Sequence, residues 1–384
     1  MSLLTPNAQR LLRALITDGP AHRADLARAL DVSRATVTNL TNSLHEGGWI
    51  EEIRDAPGSL KNPLGTAVQL GVLASIVFRV DTCTIALAHL DGRLLSELTL
   101  RDLPVDEPAV RLRAGSDLLE RLLADNGLEA SALRALHLAV DTQMDNRTGE
   151  IYSPHASRRW YGVNPHEHFA TLFDAPIYLQ NTARLEGLAE SMWGAGDAEH
   201  DLLYVDVSYG VTSSHVTNGV IRSGGHGGSG ELGHVVYDWN GPRCTCGNDG
   251  CVMQYVSIPA LLRDYAIAAP EATDWPGFCA LVESGDEIAR SLAKRAALVM
   301  GRTLVTSCHL LDPDAVVLSG EVTRALPGFV EQVAETVRGG LLPLVGRNLT
   351  VTAAELVEVW GVTARAGIVS MRGNEAVIES GSAL

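Results

Sequence analysis

The chain has 384 residues, 46% of them hydrophobic, which is enough for two or three domains that each bury a core. Its formal net charge of −16 excludes a protein that coats nucleic acid along its whole surface. The uncharged stretch at residues 66–78 is too short for a membrane-spanning helix, and no basic, apolar leader opens the chain. Together with scattered cysteines in apolar surroundings, these features predict a reduced, cytoplasmic protein with no membrane partner.

The charge is distributed unevenly along the chain. Residues 1–65 hold seven basic and seven acidic side chains, so the remainder carries the whole net charge. Up to Arg34 the count is five basic against three acidic side chains. An acidic body behind a locally basic N-terminal segment favours a small DNA-reading module on a globular carrier.

Three helices are predicted at the start of the chain. Apolar side chains recur at a helical period over residues 7–17, and a second short helix is predicted over residues 23–30. Ser33 is suited to cap a third helix, which Gly47-Gly48 would end. The side chains that fall at inward positions of this third helix are Val37, Leu40 and Leu44.

Two strands are predicted next, at residues 49–53 and 67–70, with a loop rich in Pro, Gly and Asn at residues 55–65. The whole arrangement is typical of a winged helix-turn-helix that places its third helix in a major groove and its wing near the minor groove. The alternative is a plain three-helix packing module in which Arg34 is an ordinary solvated side chain. The predicted DNA-binding residues are Ser33, Arg34, Thr36, Thr38, Asn39 and Lys61.

From residue 71 onward, predicted strands alternate with predicted helices, which is typical of the α/β class. A strand-rich run at residues 76–88 leads through an Asp91-Gly92 turn into a strand at residues 94–100, as in a hairpin. Further strands are predicted at residues 135–140, 177–180, 201–207, 215–221, 315–318 and 350–353. Further helices are predicted at residues 108–126, 183–192, 258–267, 287–310, 329–337 and 362–372.

Four potential metal ligands lie within eighteen residues: His234, Cys244, Cys246 and Cys251. A Cys-x-Cys pair, a third Cys five residues on and an upstream imidazole fit one tetrahedral Zn²⁺. Gly247 and Gly250 let the backbone turn tightly enough to aim the sulfurs inward. Four protein ligands leave no open coordination position, so such a zinc would be structural. The alternatives are a disulfide or a chance cluster of buried thiols.

The chain resembles the ROK family of repressors, open reading frames and sugar kinases over nearly its full length. The most specific parts of the resemblance are Gly-Glu-Leu-Gly-His at residues 230–234 and Cys-Thr-Cys-Gly-Asn-Asp-Gly-Cys at residues 244–251. The winged helix in front is similar to the repressor branch of the family, because the kinases lack it. The resemblance implies an actin-like (ribonuclease H-like) body of two lobes, zinc at the four ligands, and homodimers or homotetramers.

The resemblance also implies the domain borders. They place the winged helix-turn-helix at residues 1–70 and the first lobe at residues 71–190, completed by a C-terminal helix at residues 360–384. The second lobe then takes residues 191–359 and carries the zinc loop at residues 230–253.

Three departures from the kinases of the family concern phosphoryl transfer. Where the kinases carry a catalytic Asp after the Asn at position 181, this chain has Thr182, which lacks basicity near neutral pH. Residues 77–81 place bulky side chains where the kinases have a glycine-bearing phosphate loop, and Ser208-Tyr209-Gly210 replaces a second loop. We therefore expect a body that is not an enzyme.

The sugar contacts implied by the resemblance are also reduced. Met253 stands where the family has Glu, Asp141-Thr142 where it has Pro-Gly, and His155 where it has Asn. The polar residues that remain, and that we predict to bind a ligand, are Asn181, Glu231 and His234. Their alternative role is structural, as a strand end and as a brace and ligand of the zinc loop.

These features predict a DNA-binding transcriptional regulator, a repressor, whose paired winged helices bind an inverted-repeat operator in double-stranded DNA. Its kinase-like body would dimerise and sense a small molecule, either a sugar or a less polar metabolite. Two alternatives stay open: a ligand-independent pleiotropic or architectural regulator, and an active sugar kinase.

Overall fold

The chain forms two compact units in the computed structural model. The first contains the described residues up to Ile151, then residues 160–182, and the C-terminal segment from Trp360. The second contains Tyr152 and the described residues between 183 and 356. The domain borders at residues 70, 190 and 360 stay predictions. The structure describes residues 4–53, 62–152, 160–197, 199–269, 272–356, 360–372 and 374–377.

The three predicted N-terminal helices are present: α1 (Pro6–Asp18), α2 (Arg23–Leu30) and α3 (Arg34–Glu46). α1 begins after Thr5, whose hydroxyl accepts the Ala8 amide, and it ends at Gly19, whose φ of +96° is a conformation that favours glycine. Their apolar faces form the core of this small module.

One side chain of α3 points differently from the prediction. Val37 and Leu44 are buried, but Leu40 is only half-buried and Thr41 is buried in its place. At 3.6 residues per turn, the fourth residue after Val37 lies nearer the inward face than the third. The Thr41 hydroxyl is satisfied there because it donates to the Thr38 carbonyl at 3.1 Å.

The wing begins with β1 (Ile50–Glu52), which pairs antiparallel with β2 (Leu64–Thr66). The strand predicted at residues 67–70 is wrong: Val68–Leu70 is a single 3₁₀ turn, ended by Gly71 at φ +115°. Lys61 and most of the predicted wing loop lie outside the described residues.

The first unit is built on a five-stranded sheet in the order β5-β4-β3-β6-β7. β3, β6 and β7 run parallel, whereas β4 and β5 continue antiparallel from β3. The run predicted at residues 76–88 is therefore two strands, separated by a turn in which the Arg79 amide donates to the Thr82 carbonyl at 2.9 Å. Its elements are β3 (Val72–Phe78), β4 (Cys83–His89), β5 (Leu94–Leu100), α4 (Pro108–Asp125), β6 (Leu133–Val140), α5 (Pro165–Ala170) and β7 (Ile177–Asn181).

The second unit is built on another five-stranded sheet. Along the chain its elements are α6 (Thr182–Trp193), β8 (Asp201–Val207), β9 (Val211–Thr217), β10 (Val220–Ile221), α7 (Met253–Val256), α8 (Ile258–Ala268), α9 (Trp275–Ser284), α10 (Glu287–Leu311), β11 (Ala315–Ser319), α11 (Glu321–Ala325), α12 (Phe329–Gly340) and β12 (Thr350–Ala353). The sheet order is β10-β9-β8-β11-β12, with β8, β11 and β12 parallel. The strand predicted at residues 215–221 is wrong, because β9 starts at Val211 and the chain turns at Asn218-Gly219 before β10.

The last helix, α13 (Trp360–Arg372), returns to the first unit and packs against β3, β4 and β6. Gly367 permits this approach, because a Cβ there would overlap the Ser75 hydroxyl of β3. Among the helices of the described chain, none is both long and apolar enough to cross a membrane.

Candidate functional site

The start of α3 is the exposed face that the sequence assigns to DNA. Ser33 caps the helix, and its hydroxyl accepts the Thr36 amide at 3.1 Å. Arg34, Thr38 and Asn39 are exposed, whereas Thr36 is half-buried and its hydroxyl lies 2.8 Å from that of Ser33. The Arg34 guanidinium forms no ion pair or hydrogen bond with another described residue. An exposed guanidinium therefore lies at the start of the helix, where it is available to a phosphate or a guanine.

The base of the wing is attached to the first sheet by a buried carboxylate, a role that the sequence did not predict. Asp91, fully buried in the β4–β5 turn, accepts the Thr66 amide at 2.7 Å and the Arg93 Nε at 2.9 Å. Arg93 also donates to the Thr66 carbonyl at 2.6 Å and to Glu51 of β1 at 2.8 Å. Gly65 is required beside them, since a Cβ there would overlap the Asp91 carboxylate.

A second attachment comes from the end of α13. The Arg372 guanidinium donates to the Thr17 carbonyl of α1 at 2.8 Å and to the Asp91 carbonyl at 2.9 Å. Gly92 lies against it at φ +86°, where a Cβ would come 2.5 Å from the guanidinium. The winged helix is thus joined to the first sheet through its wing and through its first helix. The only signal in the sequence was Asp91-Gly92, which predicted a hairpin turn and no contact.

The four predicted metal ligands come together in the second unit. The side-chain ligand atoms of His234, Cys244, Cys246 and Cys251 all lie within 4.8 Å of one another. The Sγ atoms of Cys246 and Cys251 are 3.6 Å apart, well beyond the roughly 2.05 Å of a disulfide. A tetrahedral Zn–S bond length of about 2.3 Å corresponds to a ligand–ligand edge of about 3.8 Å. The cluster therefore has dimensions that could hold one metal ion.

The loop geometry explains how these thiols meet. Gly247 and Gly250 have φ of +97° and +66°, and a Cβ on Gly250 would overlap the Asp238 carbonyl. The thiols also shift one another's pKa values: burial opposes ionisation of Cys244, yet hydrogen bonds from Cys246, Cys251 and His234 lower its pKa to about 6. Burial and the neighbouring thiols raise the pKa of Cys251 to about 12. A bound dication would oppose the raised pKa of Cys251, because a metal favours every ligand in its deprotonated form.

Glu231, one of the predicted ligand residues, has a partner that the sequence did not reveal. Its carboxylate lies 3.5 Å from the guanidinium of Arg184, whose side chain is only 6% exposed. Arg184 also donates to the Gly227 carbonyl, so one guanidinium binds both the glycine-rich loop and the carboxylate. Burial raises the pKa of Glu231 above its usual value, against the opposing charges of Arg184 and His234.

Asn181, another of the three predicted ligand residues, ends β7 in the first unit. It is half-buried, and its side-chain amide donates to the Thr142 carbonyl at 3.1 Å. Next to it, Thr182 is 4% exposed and its hydroxyl donates to the Phe78 carbonyl at the end of β3. His155 lies outside the described residues, and Met253 is half-buried against the core of the second unit.

The turn after β3 is held by a buried guanidinium. Arg111 of α4 is fully buried and donates to the carbonyls of Arg79 and Val80. Its guanidinium lies 5.1 Å from the ring centroid of Trp160, which in turn donates to Asp141 at 2.7 Å. This turn therefore directs carbonyl oxygens, not amides, at its buried charged partner.

Comparison with known proteins supports this arrangement. The ROK family profile matches residues 80–369, and a MarR family profile matches residues 4–58. The chain belongs to the ROK family. With a MarR-type winged helix in front of its ROK body, it is a DNA-binding regulator of the repressor type. The predicted fold class is confirmed.

Relatives of this ROK chain include both regulators and kinases. The xylose repressor of Bacillus spizizenii is 21% identical over 353 residues and covers 91% of each chain. The glucokinase of Thermotoga maritima is 27% identical over 309 residues, which are 76% of this chain and 95% of the enzyme. The crystal structure of a ROK family transcriptional regulator, a homologue of the E. coli MLC protein, superposes with a TM-score of 0.76 at 21% identity and covers 98% of both chains.

Proposed function

We propose that the chain is a ROK-family repressor that binds an inverted-repeat operator in double-stranded DNA as a homodimer or homotetramer. The observation that carries this proposal is the exposed start of α3, where Arg34 has no partner among the described residues. The same module is attached to the ROK body through Asp91, Arg93 and Arg372, so a change in the body has a route to the DNA-binding surface. Lys61 is proposed to add a minor-groove contact.

The test is selection of DNA fragments from a random pool by the full-length protein. Enrichment of an inverted repeat supports the proposal, since a two-fold symmetric protein pairs with a two-fold symmetric site. Arg34→Ala is expected to weaken binding to the selected site by about tenfold, the equivalent of about 1.4 kcal/mol. Arg28→Ala is the control, because Arg28 is also exposed, on α2, but pairs with Asp25. A pool without sequence enrichment would contradict the proposal.

We infer further that the His234–Cys251 cluster binds one structural Zn²⁺. Three thiols and one imidazole are a ligand set that zinc prefers, and a complete set of four leaves no position for substrate or water. When bound, the metal would cross-link the loop that follows Glu231 and contribute to the stability of this part of the fold.

We infer also that the body does not transfer phosphate. The buried Thr182 hydroxyl donates to a main-chain carbonyl and supplies no base, and the turn at Arg79 and Val80 presents its carbonyls to Arg111. An assay for ADP release with hexoses and N-acetylamino sugars is expected to show no turnover above the protein-free rate. Release that depends on one of these sugars would establish the sugar-kinase alternative.

The body is proposed to sense a small molecule through Asn181, Glu231 and His234, and the xylose repressor among its relatives makes a sugar the first class to test. The Glu231–Arg184 ion pair favours a second candidate, a ligand-independent regulator, because it occupies a carboxylate that sugar hydroxyls would need. Thermal shift against sugars, sugar phosphates and less polar metabolites separates the two. A stabilising compound supports sensing, whereas a panel without any binder supports the ligand-independent regulator.

A further inference from the structure

The edge of the second sheet has an unpaired strand. β12 is the last strand in the sheet order, and its other side pairs with β11 in parallel. The Thr350 amide donates to the Asp314 carbonyl at 3.1 Å, and the Ala354 amide donates to the Leu318 carbonyl at 2.8 Å. Because alternate residues of a strand bond the same neighbour, the amides of Val351 and Ala353 point away from β11.

These outward amides have no partner among the described residues. Within the described chain, the Ala353 carbonyl accepts a single long contact of 3.4 Å, from the Thr352 hydroxyl. An exposed strand edge of this kind is a template for another extended chain, and proteins usually cover, charge or interrupt such edges. The four residues of β12 carry no charge and no proline. The edge is therefore left competent for pairing.

A groove of about 540 Å³ lies beside this edge. It is lined by Val351, Thr352 and Ala353 of β12 and by residues of α11 and α12. Leu326 and Phe329 also line it, and both are almost fully buried. Residues whose backbone amides point outward thus also line a groove with buried apolar side chains, and proteins use these two elements to bind a peptide as an added strand.

The charge of the groove indicates what occupies it. Arg324 and Arg338 line it with a single acidic residue, Glu331, although the chain as a whole has a net charge of −16. Both arginines are exposed, and their guanidinium groups form no ion pair or hydrogen bond with another residue of the described chain. Pairing of β12 with β12 of a second copy would bring four such arginines to one interface, which like-charge repulsion disfavours.

We propose that this groove, between β12 and α12, binds an extended acidic peptide segment of a partner protein by strand addition. The segment pairs with the backbone of Val351 and Ala353, and its acidic side chains contact Arg324 and Arg338. Backbone pairing supplies affinity, and the two arginines select for negative charge.

The test uses two fluorescein-labelled peptides with blocked ends, one alternating Val and Glu over seven residues and one alternating Val and Lys. Anisotropy with the full-length protein is expected to show binding of the Glu peptide at least about tenfold tighter than that of the Lys peptide. Hydrogen-exchange mass spectrometry is expected to show slower exchange over residues 349–355 when the Glu peptide is bound. Three results would overturn the proposal. They are equal binding of both peptides, slower hydrogen exchange only in another part of the chain, and a dissociation constant for the Glu peptide above 1 mM, which corresponds to about 4 kcal/mol.

Two variants locate the site. Val351→Pro removes an outward amide that β11 does not use, a position at which edge strands tolerate proline. The double variant Arg324→Glu, Arg338→Glu leaves the backbone unchanged and is expected to weaken binding of the Glu peptide by about tenfold or more. Arg222→Glu is the matched control, since Arg222 is exposed and follows β10 at the opposite edge of the same sheet.

The outcomes separate the possible occupants. Loss of binding in the double variant, with Arg222→Glu unchanged, supports the acidic peptide even if Val351→Pro does not fold. Unchanged binding in the double variant overturns it. If the Glu peptide fails to bind and Val351→Pro lowers the molecular mass in analytical ultracentrifugation, the edge pairs with a second copy and the proposal is wrong.

Discussion

Cys246 shows at the scale of one residue how the candidate metal centre can be tested. Cys246→Ser removes one of the three thiols that lie within 4.8 Å of His234. We expect bound zinc to be lost and the melting temperature to fall by several degrees, because the binding energy of a structural metal is part of the folding energy. Elemental analysis and thermal melts, each with and without a chelator, measure the two effects.

Cys279→Ser is the matched control for this prediction. Cys279 is a half-buried free cysteine of α9, outside the cluster, so its substitution should leave the metal content unchanged. The wild type after chelation should melt like the Cys246→Ser protein. A variant without zinc that keeps the melting temperature and operator affinity of the wild type would show that the metal does not stabilise this loop.

The clustering of the four candidate metal ligands could be predicted from the sequence, whereas the roles of several arginines could not. The four ligands lie close along the chain, so their spacing carries the information. Arg93, Arg184 and Arg372 act on groups that are distant in the sequence, such as Thr17 for Arg372 and Glu231 for Arg184. Nothing local distinguishes these arginines from solvated ones, because their partners are set by the fold.

At the scale of elements, local signals decided which predictions held. α2 was predicted with its observed bounds, and Ser33 was predicted as the cap of α3, because caps and helical period act within a few residues. Residues 67–70 alternate like a strand, yet β1 pairs with Leu64–Thr66 instead. The position of the second wing strand is therefore set by its pairing with β1 and not by the local pattern. β9 begins in a polar run, Val211–Ser214. This run forms a strand because it hydrogen-bonds to β8.

The attachment of the wing to the first sheet through Asp91 depends on Arg93. Arg93→Met leaves the fully buried Asp91 without its charged partner, although backbone amides still bond to it. Arg93 itself is 21% exposed, so we expect a loss in unfolding free energy of about 2–4 kcal/mol, toward the low end for a buried pair. Denaturant melts measure this loss, and a weaker affinity for the selected operator is expected with it.

Arg365→Met is the control for the Arg93→Met prediction. Arg365 of α13 pairs with Glu97 at 3.2 Å, but its side chain is 49% exposed, so its loss should cost at most about 1 kcal/mol. Equal melts and equal operator affinity for the two variants would mean that the Asp91–Arg93 pair does not hold the winged helix.

We expect a buried histidine to make the packing of α13 sensitive to acid. His137 of β6 lies near Gly367 of α13, and burial lowers its pKa to about 3, from an ordinary value near 6.5. Since the unfolded chain binds this proton more readily, its contribution to stability is complete above pH 6.5 and is lost as the pH falls toward 3. The full effect is on the order of a few kcal/mol.

His137→Leu should therefore flatten the pH dependence. Unfolding free energies measured in denaturant between pH 7 and pH 4 are expected to fall less steeply in this variant than in the wild type. His45→Leu, at an exposed position in the last turn of α3, controls for the general loss of one histidine. Parallel curves for wild type and His137→Leu would assign the acid sensitivity to other groups.

For the whole molecule, the charge distribution and the proposed symmetry together set how DNA is bound. The net charge of −16 opposes nonspecific attraction to a polyanion, so the energy of operator binding must come from a few directed contacts. One winged helix offers few such contacts. Two copies that act on one site would multiply them, which is why the homo-oligomer is part of the proposed function.

The spacing of the operator half-sites tests this directly. A rigid pair of winged helices reaches two half-sites only if both lie on one face of the duplex. The same face recurs about every 10–10.5 base pairs, which is one turn of DNA. Inserting five base pairs at the centre of the selected operator rotates one half-site by about half a turn, so we expect affinity to fall toward that of a single half-site. Inserting ten base pairs returns both half-sites to the same face of the duplex and should recover part of the lost affinity. Anisotropy at one fixed salt concentration measures the intact operator, the two insertions and a single half-site, since salt alone shifts these affinities. If a single half-site bound as tightly as the intact repeat, each winged helix would act alone and the oligomer would have no part in operator recognition.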